Sequence, residues 1–129
     1  METSISECWA LLRTATVGRL AVLVDGEPDI FPVNFAVDHG SVVFRTDAGT
    51  KLSASIGQVV AFEADGYDAD TREAWSVVAK GKAVEIQQMY DVLDAMMLPL
   101  FPWQPGPKSH YVRIDPTSVT GRRFTAART

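Results

Sequence analysis

The sequence predicts a mostly β protein: an antiparallel β-barrel with a few short helices, formed as a single domain over residues 1–129. Three observations lead to this prediction. Runs of β-branched and aromatic residues recur along the chain and predict about seven strands. The segments between them are mostly turn-like, and none supplies the long helical crossover that parallel strands require. Closure into a barrel would then leave no long strand edge exposed.

The composition narrows the classes of function. Hydrophobic residues make up 47% and charged residues 22% of the chain, which is typical of a globular domain. The net charge of −4 argues against nucleic-acid binding, but a local cationic cluster could still hold a small anion. The single cysteine, Cys8, excludes an internal disulfide and favours a reducing, cytoplasmic location. No apolar run is long enough to span a bilayer and no signal peptide is recognised, so we expect no membrane partner.

The first half of the chain predicts one helix followed by three strands. Ser4 with Glu7 three residues later forms a capping box, and the apolar spacing after it predicts an amphipathic helix. After Gly18 the pattern changes to continuous β-branched residues, and Asp38-His39-Gly40 is a tight hairpin signal. The predicted strands are Arg19–Val24, Ile30–Val37 and Ser41–Thr46.

The second half predicts short helices between longer strands. KLSASI, residues 51–56, predicts a short helix, and a helical apolar spacing over residues 89–98 ends at Pro99. The longest predicted strand, Trp75–Ile86, contains Gly81, where we expect a bulge or a bend. Four prolines in the stretch PLFPWQPGPK exclude regular structure there. The remaining predicted strands are Val59–Asp65, Tyr111–Asp115 and Ser118–Phe124.

FRTDAGTKL, which joins the third strand to the short helix, is the most informative segment for function. The unpaired N–H groups of a helix start favour an anion, and a cation in the first turn would oppose the helix dipole unless an anion lay beside it. An arginine at the strand end could reach the same position with its bidentate guanidinium. Thr50 could cap the helix or donate to a phosphate oxygen. The segment is either a phosphate site or a common surface turn, and its candidate residues are Arg45, Thr46, Gly49, Thr50 and Lys51.

Two further segments carry candidate residues. Pro32 forbids a regular ladder in IFPVNFAV, so we expect this stretch at a rim or a break of the barrel. Asn34 points to the same face of the strand as Pro32. It could contact the edge of a heterocycle or make a local hydrogen bond. Trp75 and Ser76 open the long strand, where a tryptophan could also simply plug the barrel. Trp103, on the proline-rich loop, is a lid, an interface anchor or a local apolar clasp.

Together these segments resemble the pyridoxamine 5′-phosphate oxidase-like family of FMN-binding split β-barrels, and its small actinobacterial-type members most. The match extends from ECWALLRTATVGRLAV to PWQPGPKSHYVRIDPTSVTGRRF, and the order of the segments is more specific than any one of them. The resemblance implies a split β-barrel that forms a homodimer with two flavin sites at the subunit interface. It also implies a small-molecule substrate.

The resemblance assigns roles to the candidate residues. The isoalloxazine ring would lie along FPVNF and be lined by Pro32, Val33 and Asn34, largely through backbone groups. Trp75 and Ser76 would lie near the flavin, and Trp103 would approach the ring from the partner subunit. The FMN phosphate would be held by Arg45, Thr46, Thr50 and Lys51.

The function that the resemblance implies is an FMN-dependent oxidoreductase that transfers a hydride to or from a small organic substrate. The same fold could instead use the deazaflavin coenzyme F-420, bind a flavin as a non-catalytic sensing module, or serve only as a dimerisation barrel.

No side chain stands out as a catalytic acid or base, and no metal site is expected. His39 is interpreted as a turn residue and His110 as a strand-edge residue, which does not indicate a haem site. The chain end, TGRRFTAART, does not reproduce the basic substrate-phosphate motif of authentic pyridoxamine-phosphate oxidases, which argues against vitamin B6 oxidation.

Overall fold

A computed structural model of the chain describes residues 2–100 and 110–127. Within these residues three helices and six strands follow one another along the chain. In order, they are α1 (Ile5–Leu12), β1 (Val17–Val24), β2 (Glu27–Asp38), β3 (Ser41–Thr46), α2 (Thr50–Ser55), β4 (Val59–Tyr67), β5 (Glu73–Glu85), α3 (Met89–Met96) and β6 (His110–Thr125).

The strands close into a barrel in the order β1-β2-β3-β6-β5-β4, and every neighbouring pair is antiparallel. This confirms the predicted antiparallel barrel, but the prediction of seven strands is wrong. The last two predicted strands are one strand, β6, because pairing continues past Pro116, which lies opposite Gly81. The register of β5 against β6 shifts at Gly81, as predicted, and a Cβ at this position would collide with the backbone of Asp115.

Helix α1 closes one end of the barrel. Ser4 Oγ accepts a hydrogen bond from the backbone N–H of Glu7 at 3.2 Å, which confirms the predicted cap. Cys8 and Leu12 are buried, so the predicted apolar face packs against the barrel. Gly121 of β6 permits this packing, because a Cβ there would lie 2.6 Å from the sulfur of Cys8.

The apolar core lies inside the barrel, and a smaller cluster lies outside it. The rings of Phe35 and Phe62 meet edge to face inside, with their centres 4.7 Å apart. Outside β3 and β6, residues of α3 and the segment after it cover Val43 and Tyr111. The largest fully buried side chains of the interior are Phe44, Phe62, Leu12, Leu20 and Ile114.

Strand β2 has different partners along its length. It pairs with β1 over residues 27–34 but with β3 only from Phe35 to Asp38. Pro32 therefore lies where no described strand pairs with the second edge of β2, which confirms the predicted break. Val33 is buried in the interior, so strand alternation places Pro32 and Asn34 on the outer face.

Candidate functional site

The predicted phosphate turn begins at the end of β3, where successive side chains point to opposite faces. Thr46 follows Phe44 into the interior and is fully buried. Arg45 lies on the outer face, and its guanidinium carbon is 5.4 Å from the centre of the Tyr111 ring. A ligand that contacts both residues must therefore reach around the end of the strand, where the turn of residues 47–49 is exposed.

Asn34 of β2 and Arg45 of β3 are the residues that come directly after the last pair of the β2–β3 ladder. The β2–β3 ladder ends at the pair Phe35 and Phe44, and the antiparallel register places Asn34 opposite Arg45 one step further. Asn34 Nδ2 donates a hydrogen bond to the backbone oxygen of Thr16 at 3.4 Å, so the local bond considered as an alternative is present. The register thus brings the predicted ring strand and the predicted phosphate turn together where β2 and β3 separate.

Helix α2 carries the second cation of the turn. The backbone N–H of Ser53 donates to the oxygen of Gly49 at 2.9 Å, which makes Gly49 the N-cap residue. Thr50 is the first helical residue and does not cap the helix. Its other predicted role, donation to a phosphate oxygen, is the one that remains. Lys51 Nζ lies 5.8 Å from the centre of the Phe31 ring on β2, a cation–π distance. Because α2 has only six residues, side-chain cations rather than a helix dipole would provide most of the attraction for an anion.

Trp75 and Ser76 lie at the opposite end of β5 from the end nearest the phosphate turn. They open β5, whereas Glu85 closes it beside the part of β6 that pairs with β3. On the other side of β5, Ser76 lies opposite Asp65 of β4, and β4 pairs with β1. A Cβ at Gly66 would collide with the Trp75 indole, so the indole covers this glycine at the α1 end of the barrel. Neither residue pairs with β3 or belongs to α2, so the strand register alone does not bring Trp75 and Ser76 to the phosphate turn. Trp103 lies outside the described residues.

Sequence reasoning missed the hydrogen-bonded pair of His110 and Glu85, which lies at the same end of the barrel as Thr46. His110 stands opposite Thr46 in the β3–β6 register, and its Nδ1 lies 2.6 Å from Oε2 of Glu85. With an ionised carboxylate as acceptor, Nδ1 carries the proton and Nε2 is turned away from Glu85. The interpretation of His110 as a strand-edge residue did not include this partner. Alternation with the buried residues Ala83 and Val112 was the signal that could have placed both side chains on the interior face.

The hydroxyl of Thr46 is unusual because it has no hydrogen-bond partner among the described residues, although it is buried. Buried polar groups are nearly always paired, and an unpaired one costs about 1–3 kcal/mol. The hydroxyl of Thr46 is therefore a candidate contact for a group that the described residues do not supply.

A second charged cluster lies on the outer face beside the predicted ring strand. Arg19 stands opposite Pro32, and its Nη1 is 2.9 Å from Glu63 Oε1 and 3.4 Å from Asp65 Oδ2. Burial is the largest cause of a raised pKa at Glu63, and the hydrogen bond with Asp65 and the charge of Asp65 raise it further. Arg19 opposes this shift. These side chains border a groove of about 290 Å³ that Ile30 also lines. The groove combines an apolar floor with a carboxylate that keeps its proton to higher pH than an ordinary glutamate.

No group of three or more His, Cys, Asp or Glu side chains within residues 2–100 and 110–127 is placed to hold a metal ion. None of the helices in this part of the chain has the length and the apolar character needed to cross a membrane.

The barrel and the site together define a split-barrel protein with a cationic turn at one end. The family model for pyridoxamine 5′-phosphate oxidase matches residues 4–123, and the chain belongs to this family of split-barrel proteins. The resemblance found in the sequence is therefore confirmed.

Several solved structures share both sequence and fold with the chain. The FAD binding protein from Mycobacterium smegmatis is 42% identical, with a TM-score of 0.84 over 96% of this chain and 98% of that one. A candidate pyridoxamine 5′-phosphate oxidase from Corynebacterium glutamicum is 37% identical, with a TM-score of 0.85 over 99% and 95% of the two chains. The uncharacterized protein Rv0080 of Mycobacterium tuberculosis is 36% identical over 132 residues, which cover 98% of this chain and 86% of that protein.

Proposed function

We propose that this chain is a flavin-dependent oxidoreductase whose cofactor lies at the barrel end formed by β2, β3 and α2. The observation that carries the proposal is the position of Asn34 and Arg45 directly beyond the last pair of the β2–β3 ladder, with Lys51 at a cation–π distance from Phe31 of β2. The FAD binding protein from M. smegmatis, at 42% identity, supports a flavin as the ligand.

The residues at this end fit a flavin phosphate and ring. Arg45 and Lys51 would bind the phosphate through charge-assisted hydrogen bonds, and the hydroxyls of Thr46 and Thr50 would donate to its other oxygens. The unpaired hydroxyl of Thr46 is the observation that favours this fit. The open edge of β2 at Pro32–Asn34 would present backbone groups to the ring. When bound, a flavin supplies hydride transfer to or from a small organic substrate, and the chain binds and orients it.

Two flavins suit these contacts. We infer FMN from the phosphate turn, because two cations at one strand end suit a terminal phosphate. The FAD-binding relative at 42% identity favours FAD as a second candidate. The deazaflavin coenzyme F-420 is a third ligand that the same turn would serve. Fluorescence titrations of the purified protein with FMN, FAD, riboflavin and coenzyme F-420 measure the preference directly, and failure to bind any of them would contradict the proposal.

A homodimer with the flavin between its subunits is part of the proposal. The family resemblance implies this arrangement, in which Trp75 and Ser76 would also lie near the flavin. The outer faces of the strands also expose large apolar side chains, which a stable interface would bury; they include Leu23, Ile30 and Val59. Light scattering on the flavin-bound protein measures the mass, and a monomer that binds flavin with full affinity would contradict the dimer. A cytoplasmic location stays a prediction.

Turnover distinguishes the oxidoreductase from a non-catalytic flavin sensor on the same fold. We expect the protein to reoxidise its reduced flavin in a way that depends on a small-molecule substrate. The measurement is stopped-flow absorbance of the reduced protein mixed with small electron-accepting compounds. Rates equal to those of free reduced flavin for every compound would favour the sensor.

A further inference from the structure

The polar cluster inside the α2 end of the barrel consists of Thr46, His110 and Glu85. Thr46 and His110 are direct cross-strand neighbours, and such pairs have their Cβ atoms about 5 Å apart. Thr46 is fully buried, while the cluster reaches solvent through His110, whose side chain is 31% exposed. Each of the three lies two residues from a buried apolar residue of its own strand, so all three side chains are on the interior face of the barrel.

The hydrogen bonds of this cluster are incomplete. Glu85 accepts a hydrogen bond from Nδ1 of His110, which fixes the ring and leaves Nε2 as the ring nitrogen that Glu85 does not contact. Thr46 Oγ1 bonds neither to His110 nor to any other described residue. Thr46 and His110 are cross-strand neighbours that do not bond each other, so one further group could accept a hydrogen bond from both.

We propose that Thr46 and His110 form an anion-binding pair that receives a phosphate oxygen of the bound flavin. The proposal rests on the proposed flavin function, and to the phosphate site that already includes Thr46 it adds His110, with Glu85 behind it. His110 in its protonated form donates from Nε2, and Thr46 donates from its hydroxyl. Glu85 is a positioning residue that orients the imidazole and balances its charge. The pair contacts the anion from inside the barrel, while Arg45 contacts it from the outer face.

The test compares two flavins that differ only in the phosphate, FMN and riboflavin. We expect Thr46→Val and His110→Ala each to weaken FMN binding by about tenfold, because each removes one hydrogen bond to a charged group, and to leave riboflavin binding unchanged. Thr46→Ser keeps the hydroxyl and should keep the preference for FMN. His39→Gln removes the only other histidine, which is exposed on the β2–β3 hairpin, and is the matched control. Equal losses for both flavins, or no loss for FMN, would overturn the proposal.

Glu85→Gln tests the positioning role separately. It keeps a side chain of the same size but removes the charge that holds the imidazole. We expect a loss of FMN preference of up to about tenfold, together with shifted ring signals of His110 in the NMR spectrum. Unchanged ring signals and an unchanged preference would overturn this role.

NMR of the two histidine rings separates this proposal from the flavin function. We expect FMN or inorganic pyrophosphate to shift the His110 ring signals and to leave those of His39 in place. A protein that binds flavin without moving the His110 signals would refute the anion-binding pair and keep the function. If no flavin binds, a pyrophosphate shift that Thr46→Val abolishes would still support the pair, and its absence would overturn both proposals.

Discussion

The two ends of the barrel differ in what their interiors contain. At the α1 end, Cys8 and Leu12 are completely buried, and Cys8 packs against Gly121. At the α2 end, the interior holds the unpaired hydroxyl of Thr46 and the pair of His110 with Glu85. The first end is closed by complementary packing, and the second keeps a buried hydroxyl that none of the described residues satisfies. We infer that the α1 end contributes stability and that the α2 end is built for a ligand.

The largest expected effect is on binding at the α2 end. Arg45→Ala combined with Lys51→Ala removes both cations of the turn, and we expect FMN affinity to fall by about two orders of magnitude or more. Fluorescence titration measures this loss. Lys80→Ala combined with Lys82→Ala makes the same change in charge on the exposed face of β5 and should leave affinity within about threefold. Equal losses in the two double variants would indicate a general charge effect.

The next effect is on stability at the α1 end. Leu12→Ala opens a cavity at a fully buried position and should lower the free energy of unfolding by about 2–5 kcal/mol. Ile5→Ala, in the same helix but 62% exposed, should change it by less than about 0.5 kcal/mol. Urea unfolding of the apoprotein measures both values. Similar losses for the two variants would mean that α1 does not close the barrel as described.

Replacing Thr46 should change the stability of the apoprotein in the opposite direction from replacing a buried hydroxyl that has a partner. Thr46→Val removes a buried hydroxyl without a described partner at nearly constant volume, so the apoprotein should gain about 1 kcal/mol of stability. Ser41 is the matched control, because its buried hydroxyl donates to the backbone oxygen of Asp38 at 2.6 Å. Ser41→Ala should therefore cost about 1–2 kcal/mol in the same urea titration. A loss on Thr46→Val as large as that on Ser41→Ala would remove the argument for a ligand at this hydroxyl.

The smallest effect concerns Glu63 on the outer face. Its pKa is raised in the folded protein, so the folded state binds this proton more tightly than the unfolded chain does. The resulting stability is present in full at acidic pH and is lost as the pH rises through the folded pKa. We expect Glu63→Gln to stabilise the protein by a few tenths of a kcal/mol at neutral pH, since solvent weakens the effect. The difference should disappear in acid unfolding curves below about pH 4, and a difference that grows in acid would contradict the direction of the shift.

Much of the fold could be predicted from local patterns. The Ser4 cap, the break at Pro32 and the shift at Gly81 each follow from one residue type and its backbone requirement. The count of strands was wrong because a proline normally ends a strand. In β6, Pro116 lies opposite the Gly81 irregularity, where the β5 backbone is close enough for pairing to continue.

The site was harder to predict because its residues meet through the register of the barrel. Arg45 and the helix cation are close in sequence, so a local reading could propose them together. The position of Asn34 opposite Arg45 depends on where the β2–β3 ladder ends, which no single segment reveals. Glu85 and His110 are 25 residues apart, with α3 and the proline-rich stretch between them. Their pairing became visible only when β5 and β6 were aligned.

The most direct test of the central claim is the absorption spectrum of the purified, desalted protein, followed by mass spectrometry of the ligand released on denaturation. We predict the yellow absorption bands of a flavin and the mass of FMN, with the mass of FAD as the result that would select the second candidate. A colourless protein that takes up coenzyme F-420 would keep the anion site and change the cofactor. A colourless protein that takes up none of these compounds would contradict the assignment of the α2 end as a cofactor site.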